Sequence, residues 1–314
     1  MTPLMVLILG CTATGKGKAA FNVAQRLGGE VLSVDSMKVY RRMDIGTAKP
    51  DPERRQAVPH HLIDVVEPWE SFSVGRYVEL ADGAIAQVQG RGRPIIAVGG
   101  TAMYLRALLE GLFDGPPAAP ELRRRLKEEA SQGGLARLHE RLKAVDPAAG
   151  ERIHPNDAKR IVRALEVHEI TGRPISSFQT HFRTGRYRHP WRMFGLRREP
   201  ADASHRMNQR VKAMIEAGLV EEVKSLLAEP GGISPQARQA VGYAEIIEHL
   251  EGRRDLAETV DLIKLNTRRL AKRQRTWFRS FVGVRWVDLL PESTVEGTTE
   301  TILRELSTTD GAGR

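Results

Sequence analysis

The opening of the chain limits the fold more than any other stretch. Leu4-Met-Val-Leu-Ile-Leu9 is an unbroken apolar run, and Gly10-Cys-Thr-Ala-Thr-Gly15-Lys16-Gly17 follows it directly. A short run that is apolar at every position reads as a strand buried on both faces of a parallel sheet. Ala19, Ala20, Val23 and Leu27 then fall at helical spacing within residues 16–27. Gly-x-x-x-x-Gly-Lys between a strand and a helix is the setting of a phosphate-binding loop. Its glycines let successive backbone N–H groups point into one concavity, the helix N-terminus adds positive potential, and Lys16 adds a full charge. Gly10, Cys11, Thr12, Ala13, Thr14, Gly15, Lys16 and Gly17 are therefore the candidate diphosphate-binding residues. The alternative is a glycine-rich turn with no ligand. One position departs from the pattern. A Ser or Thr normally follows the lysine and ligates Mg²⁺, whereas Gly17 has no side chain. Either a metal is held by other groups and water, or metal and phosphate binding are weakened.

The strand-helix alternation continues. Residues 31–34 form a second apolar strand ending at Asp35, and residues 94–98 a third, ending in Gly99-Gly100-Thr101. Residues 101–110 read as a helix. This order argues for an α/β fold with a parallel sheet. In such sheets ligands bind beyond the carboxyl ends of the strands. Asp35 and Thr101 share that edge with Lys16. A carboxylate there can take a proton from a nucleophile or help to position a metal, or simply cap a turn. The Thr101 hydroxyl can donate to a phosphate oxygen or cap the helix that begins beside it.

Pro116-Pro117 and Pro120 mark a break, after which residues 121–169 are mostly helix-like. The expected organisation is a core of residues 1–115 and about 200–290, a helical insertion with a basic segment over about 116–199, and a flexible tail over 291–314. Residues 201–228 read as one helix, and another runs from Leu256 to about Phe281.

Composition bears on partners. Lys and Arg number 48 against 39 Asp and Glu, a net charge of +9, which favours a polyanionic partner. Residues 181–198 carry arginines at 183, 186, 188, 192, 197 and 198 among Phe182, Tyr187, Trp191 and Phe194, and no acid. Residues 264–279 repeat the pattern with Trp277 and Phe278. Cations to track phosphates and rings to stack bases mark recognition of single-stranded or loop RNA, although a solvated basic face over core aromatics has the same composition. His60-His61 is adjacent rather than at i, i+4 spacing and reads as structural. The single cysteine, Cys11, excludes an intramolecular disulfide and suits a reducing, cytosolic compartment. The apolar run at residues 4–9 is too short to cross a membrane and has no basic leader, so neither a signal peptide nor a transmembrane helix is expected.

Taken in order, these residues resemble a family, the tRNA dimethylallyltransferases. The resemblance runs from about Leu4 to Phe281. It includes the phosphate loop, Asp35-Ser-Met with Val39-Tyr40, Asp44-Ile-Gly-Thr-Ala-Lys-Pro50, Pro59-His-His-Leu-Ile-Asp64, Gly99-Gly-Thr101 and Ile153-His-Pro-Asn-Asp157. Beyond these come Arg163-Ala-Leu-Glu-Val167, Gln239-Ala-Val-Gly-Tyr243, Ala271-Lys-Arg-Gln274 and Thr276-Trp-Phe-Arg279. It implies a P-loop NTPase-like parallel sheet with an inserted helical subdomain. It also implies transfer of a dimethylallyl group from dimethylallyl diphosphate to the exocyclic amine of adenosine 37 of tRNA, with Mg²⁺ as cofactor. Lys16 and its loop would hold the diphosphate, Asp35 would act as general base, and Thr101 would orient the reactants. Contacts to tRNA would come from Asp35, Ser36, Met37 and Lys38; from Thr101 and Arg123; from Lys159, Arg160, Ile161, Val162 and Arg163; and from Arg238, Gln239, Ala240, Val241, Gly242 and Tyr243. A cytoplasmic monomer is the family expectation. The chain departs from the family pattern at Gly17, at Lys38 in place of Gln, at Ala102-Met103 in place of Gly-Leu, and at Lys212 in place of Asp. A Lys38 ammonium beside Asp35 would lower that carboxylate's basicity, or would supply charge that a weaker metal site lacks. Two alternatives stay open: a tRNA-binding paralogue without chemistry, and a P-loop kinase of a small molecule, which Gly17 disfavours.

Overall fold

The computed structural model describes residues 3–112, 115–117, 119–179 and 186–310. The chain divides into two compact units, Met1–Gly111 with Tyr187–Arg314, and Leu112–Arg186.

The first unit is built on a parallel sheet. Its first half contains β1 (Met5–Gly10), α1 (Lys16–Leu27), β2 (Glu30–Val34), α2 (Pro52–Ala57), β3 (His60–His61), α3 (Val74–Gly90), β4 (Ile95–Gly99) and α4 (Ala102–Glu110). The second unit contributes α5 (Pro120–Glu129), α6 (Leu135–Val145), α7 (Pro147–Arg152) and α8 (Ala158–Thr171). The first unit resumes with β5 (Arg192–Arg198), α9 (Pro200–Glu216), α10 (Leu219–Ala228), α11 (Tyr243–Leu250), α12 (Leu256–Phe278), β6 (Val284–Leu289) and α13 (Val295–Asp310).

The six strands stand in the order β3-β2-β4-β1-β5-β6, and every neighbouring pair is parallel. All residues of β1 and β2 are buried, as the unbroken apolar run of β1 requires, with Glu30 and Ser33 the polar residues buried in β2. Alternate side chains point to opposite faces. Met5, Leu7 and Leu9 join Leu32, Val34 and Ala97 in one core, and Val6 and Ile8 join Val31, Ile96, Phe194 and Leu196 in the other.

Three expectations are revised. Residues 192–198 form β5, beside β1 in the sheet, and not part of the insertion. Trp191 and Phe194 are buried, and the arginines are committed nearby: Arg188 to Asp82, Arg197 to Asp288, and Arg198 to Asp202. This stretch from Tyr187 onward is strand and core, while residues 181–185 lie outside the described residues. The helix expected over 201–228 is two helices, broken at Gly218, whose φ of 95° no helical residue adopts. Within the tail expected to be flexible, residues 295–310 form α13, which buries Ile302 and Leu306 against the α1 side of the sheet and pairs Glu296 and Glu300 with Arg26.

The second unit has its own core of Leu126, Leu138, Leu142, Ile161, Val162 and Leu165. At its centre the fully buried Glu166 carboxylate accepts hydrogen bonds from Arg123 (2.6 Å), Arg163 (2.7 Å) and the Ala119 N–H (2.9 Å).

Candidate active site

Strand register brings the candidate residues together. Val34, Gly99 and Leu9 stand side by side on β2, β4 and β1. The three loops that follow therefore begin next to one another at the carboxyl edge, carrying Asp35, Thr101 and the Gly10–Gly17 loop.

The glycine-rich loop has the form a phosphate needs. Ala13 and Gly15 are left-handed, with φ of 65° and 84°, and the turn at Gly15 starts α1. No side chain caps that helix, although Asp51, Ser73, Asp157 and Asp255 cap α2, α3, α8 and α12. The first-turn N–H groups of α1 are thus left for a ligand, with the positive end of the helix behind them. Lys16 folds back so that its Nζ donates to the Cys11 carbonyl at 3.1 Å, and the Thr14 hydroxyl donates to the same carbonyl at 2.9 Å. Cys11 itself is buried. Its thiol donates to the Ala271 carbonyl, and burial raises its pKa.

Asp35 is locked by its own turn. Its Oδ1 accepts the N–H groups of Met37 (2.9 Å) and Lys38 (3.3 Å). Its second oxygen accepts no hydrogen bond among the described residues, which leaves it free to take a proton. Thr101 precedes α4 but does not cap it. Its Oγ1 accepts the Ser36 N–H at 3.0 Å and lies 3.3 Å from the Ser36 hydroxyl, which ties β4's loop to the Asp35 turn.

Two residues that the sequence reading left out of the site complete it. Gln274, on α12, accepts the Thr12 N–H at 3.0 Å and donates to the Gly100 carbonyl at 2.9 Å, so one amide clamps two of the three loops. Arg210, on α9, reaches the Thr12 hydroxyl at 3.3 Å. Gln274 was visible in the Ala271–Gln274 motif. Arg210 carried no signal beyond its helical position.

The electrostatics are one-sided. Lys16, Lys38 and Arg210 all feel the negative charge of Asp35. Burial, then the charges of Arg210 and Lys38, pull the Lys16 pKa down to about 8, and Asp35 opposes them. Burial also lowers Lys38, against the attraction of Asp35. Cations held close without enough counter-charge suit an anion, which makes this cluster a candidate anion site.

A metal is poorly provided for. Gly17 offers no oxygen. The Thr14 hydroxyl is engaged with Cys11, Thr101 with the Ser36 turn, and Asp35 Oδ1 with two backbone N–H groups. Among the described residues no group of three or more His, Cys, Asp or Glu could hold an ion. The side chains present do not form a Mg²⁺ site of their own. His60 and His61 are structural, bonded to the Val58 carbonyl and to Glu30.

Comparison with known proteins agrees with this geometry. A family profile described as IPP transferase matches residues 38–281, and one described as isopentenyl transferase matches residues 3–64. The tRNA dimethylallyltransferase of Desulforudis audaxviator is 48% identical over 288 residues, covering 91% of this chain and 92% of the relative. That of Geobacter metallireducens is 46% identical over 284 residues, covering 90% and 92%. The chain belongs to the tRNA dimethylallyltransferase family. Among solved structures, the tRNA isopentenylpyrophosphate transferase of Bacillus halodurans is 39% identical and covers 98% of each chain with a TM-score of 0.69. A eukaryotic dimethylallyltransferase acting on tRNA is 26% identical, with a TM-score of 0.76, covering 91% of this chain and 74% of its own.

Several motifs that tie this chain to the tRNA dimethylallyltransferases hold the loops behind the site. Lys49 is buried and donates to Asp44 (2.6 Å), Asp64 (2.5 Å) and the Tyr40 carbonyl (2.5 Å). Glu222 accepts the N–H groups of Asp44, Ile45 and Gly46, and the Tyr243 hydroxyl at 2.5 Å. The residues expected to touch tRNA are divided by burial. Ile161, Val162, Ala240 and Tyr243 have their side chains inside, Gly242 is buried too, and Arg123 and Arg163 are held by Glu166. Lys159, Arg160, Arg238 and Gln239 are exposed. On α12, Asn266, Arg269, Lys272 and Arg273 line an open basic groove. Among the described residues no helix is long and apolar enough to cross a membrane.

Proposed function

We propose that this chain transfers a dimethylallyl group from dimethylallyl diphosphate to the exocyclic amine of adenosine 37 of tRNA, releasing diphosphate. The observation that carries this reading is the pairing, at one sheet edge, of an uncapped phosphate loop with a carboxylate that has one free oxygen. A kinase would need the metal ligand that Gly17 lacks. A prenyl transfer needs groups that hold the leaving diphosphate and a base, roles that this reading gives to the Gly10–Gly17 loop and to Asp35.

In this mechanism the loop N–H groups and Lys16 bind the diphosphate. The lone pair of the adenine amine attacks the allylic carbon, and the carbon–oxygen bond breaks with its electrons leaving on the diphosphate. The free oxygen of Asp35 takes the proton that the amine gives up. Thr101 fixes Asp35 through the Ser36 turn and places the Gly100 loop. A base can reach this amine only when the adenosine is flipped out of its stack. Lys159, Arg160, Arg238, Gln239 and the α12 groove are the exposed groups proposed to hold the RNA, with Asp35, Ser36, Met37 and Lys38 at the flipped base. A divalent ion such as Mg²⁺ would enter on the diphosphate with water completing its shell, as Mg²⁺ commonly does. This reading takes a monomer as the working unit, acting where tRNA is, in the cytoplasm.

The test mixes protein, dimethylallyl diphosphate, Mg²⁺ and an unmodified anticodon stem-loop with adenosines at 36 and 37. Mass spectrometry of the digested RNA should show one prenyl adduct. Asp35→Asn should slow its formation by about 10²- to 10⁴-fold, the range for loss of a general base. Stem-loop binding without an adduct would replace this reading with that of an RNA-binding paralogue.

A further inference from the structure

Gly17 and Lys38 are best understood together. A side chain added at Gly17 would meet nothing within 4 Å, so packing does not enforce the glycine. The hydroxyl that would ligate a metal is absent from a place with room for it. On the neighbouring loop, Lys38 puts an ammonium into the same electrostatic neighbourhood, close enough to act on Lys16 and to feel Asp35 and Arg210. Its backbone N–H is fixed by Asp35 Oδ1. Its ammonium, on a half-buried side chain, makes no hydrogen bond or ion pair among the described residues. By contrast Lys49, the other lysine near it, is fully committed to Asp44, Asp64 and Tyr40. A partly desolvated cation without a partner, beside two more cations, is arranged for an anion with several charges.

We propose that Lys38, with Lys16 and Arg210, neutralises the departing diphosphate in place of a metal ligated at position 17, so that this chain binds diphosphate without needing a divalent ion. As the carbon–oxygen bond breaks, its electron pair moves onto the diphosphate. The ammonium meets that added charge by a hydrogen bond, and no proton leaves it. The lysine is a leaving-group-binding residue. The proposal rests on the prenyl-transfer reading for its role in the reaction, but its binding consequence can be measured without tRNA.

Calorimetry with inorganic pyrophosphate, in EDTA and in Mg²⁺, decides it. Wild-type protein should bind nearly as well in EDTA as in Mg²⁺. Lys38→Gln should lose about 10- to 100-fold in EDTA, the worth of one charge-assisted hydrogen bond. Lys38→Arg should recover most of that loss, which a folding defect would not allow. Adding Gly17→Thr to Lys38→Gln should restore binding only when Mg²⁺ is present. The proposal is overturned if wild-type binding collapses in EDTA, or if Lys38→Gln binds there within about twofold of wild type. The stem-loop assay in Mg²⁺ is run in parallel. No adduct there would sink the prenyl-transfer reading, while the pyrophosphate arms would still decide the role of Lys38.

Discussion

At the scale of single residues, the site is governed by an excess of positive charge over one carboxylate. Lys16 shows the consequence in a measurable way. With its pKa near 8, it is half protonated at that pH in the free protein. A bound diphosphate favours the charged form, so binding at pH 8 should take up protons. Calorimetry in buffers of different ionisation enthalpy should reveal that uptake, and Lys16→Met should lose it. The same shift acts on stability. The unfolded lysine, near the ordinary 10.5, holds its proton to higher pH than the folded one. The free protein should therefore gain stability from this group as pH rises between about 8 and 10.5, because the unfolded state binds more protons there. Asp35 and Lys16 were both legible in the sequence, because Asp35 directly follows a strand and Lys16 ends the glycine-rich loop after one. Arg210 was not: nothing in a helical run says which of its cations turns toward a loop far away in the chain.

Among the elements, α12 does more than its composition announced. Its residues 264–279 read as cations and rings suited to RNA, or as a solvated basic face over core aromatics. One of its faces does present Arg269, Lys272 and Arg273. Another carries Ala271 and Gln274 onto the phosphate loop, with the Gln274 amide joined to both Thr12 and Gly100. Gln274→Ala removes two hydrogen bonds, each worth about 0.5–1.5 kcal/mol. It should weaken pyrophosphate binding by about tenfold and should shift the melting temperature only slightly. Titration of the variant against wild type checks both. The β5 strand teaches the opposite lesson. Its Arg-rich, aromatic sequence matched an RNA-binding surface, yet the rings are core and the arginines pair at the sheet's edges and ends. Composition records which groups are present, and a strand's neighbours decide whether they meet solvent.

For the whole molecule, the two compact units have separate cores and separate buried charges. Glu166 is the centre of the helical unit. Burial raises its pKa, but hydrogen bonds from Arg123, Arg163 and Ala119 outweigh this and hold it below the ordinary carboxylate range. Its contribution is present at neutral pH and is lost as pH falls below about 4.5, once the group must take up a proton. Glu166→Gln leaves two arginines without their partner and should cost about 3–5 kcal/mol in that unit. Urea unfolding followed by a probe within residues 119–179 should show the loss. Pyrophosphate binding by the sheet unit should be unchanged.

The chain sequence alone determined the α/β class and the family, and it marked the Gly10–Gly17 loop, Asp35 and Thr101 as candidates, because each is written locally. Unbroken apolar runs mark buried parallel strands, and short motifs mark the turns that follow them. The strand order belongs to the tertiary structure: β4 lies between β2 and β1, so Val34, Gly99 and Leu9 share one register line and their loops converge. That adjacency arises from sheet pairing between residues up to ninety positions apart, which no local pattern encodes. Folding also decided that residues 192–198 are interior, that residues 295–310 are a packed helix, and that Gln274 and Arg210 meet at the loop. Each depends on which long-range surfaces are buried together, and burial is a property of the assembled chain.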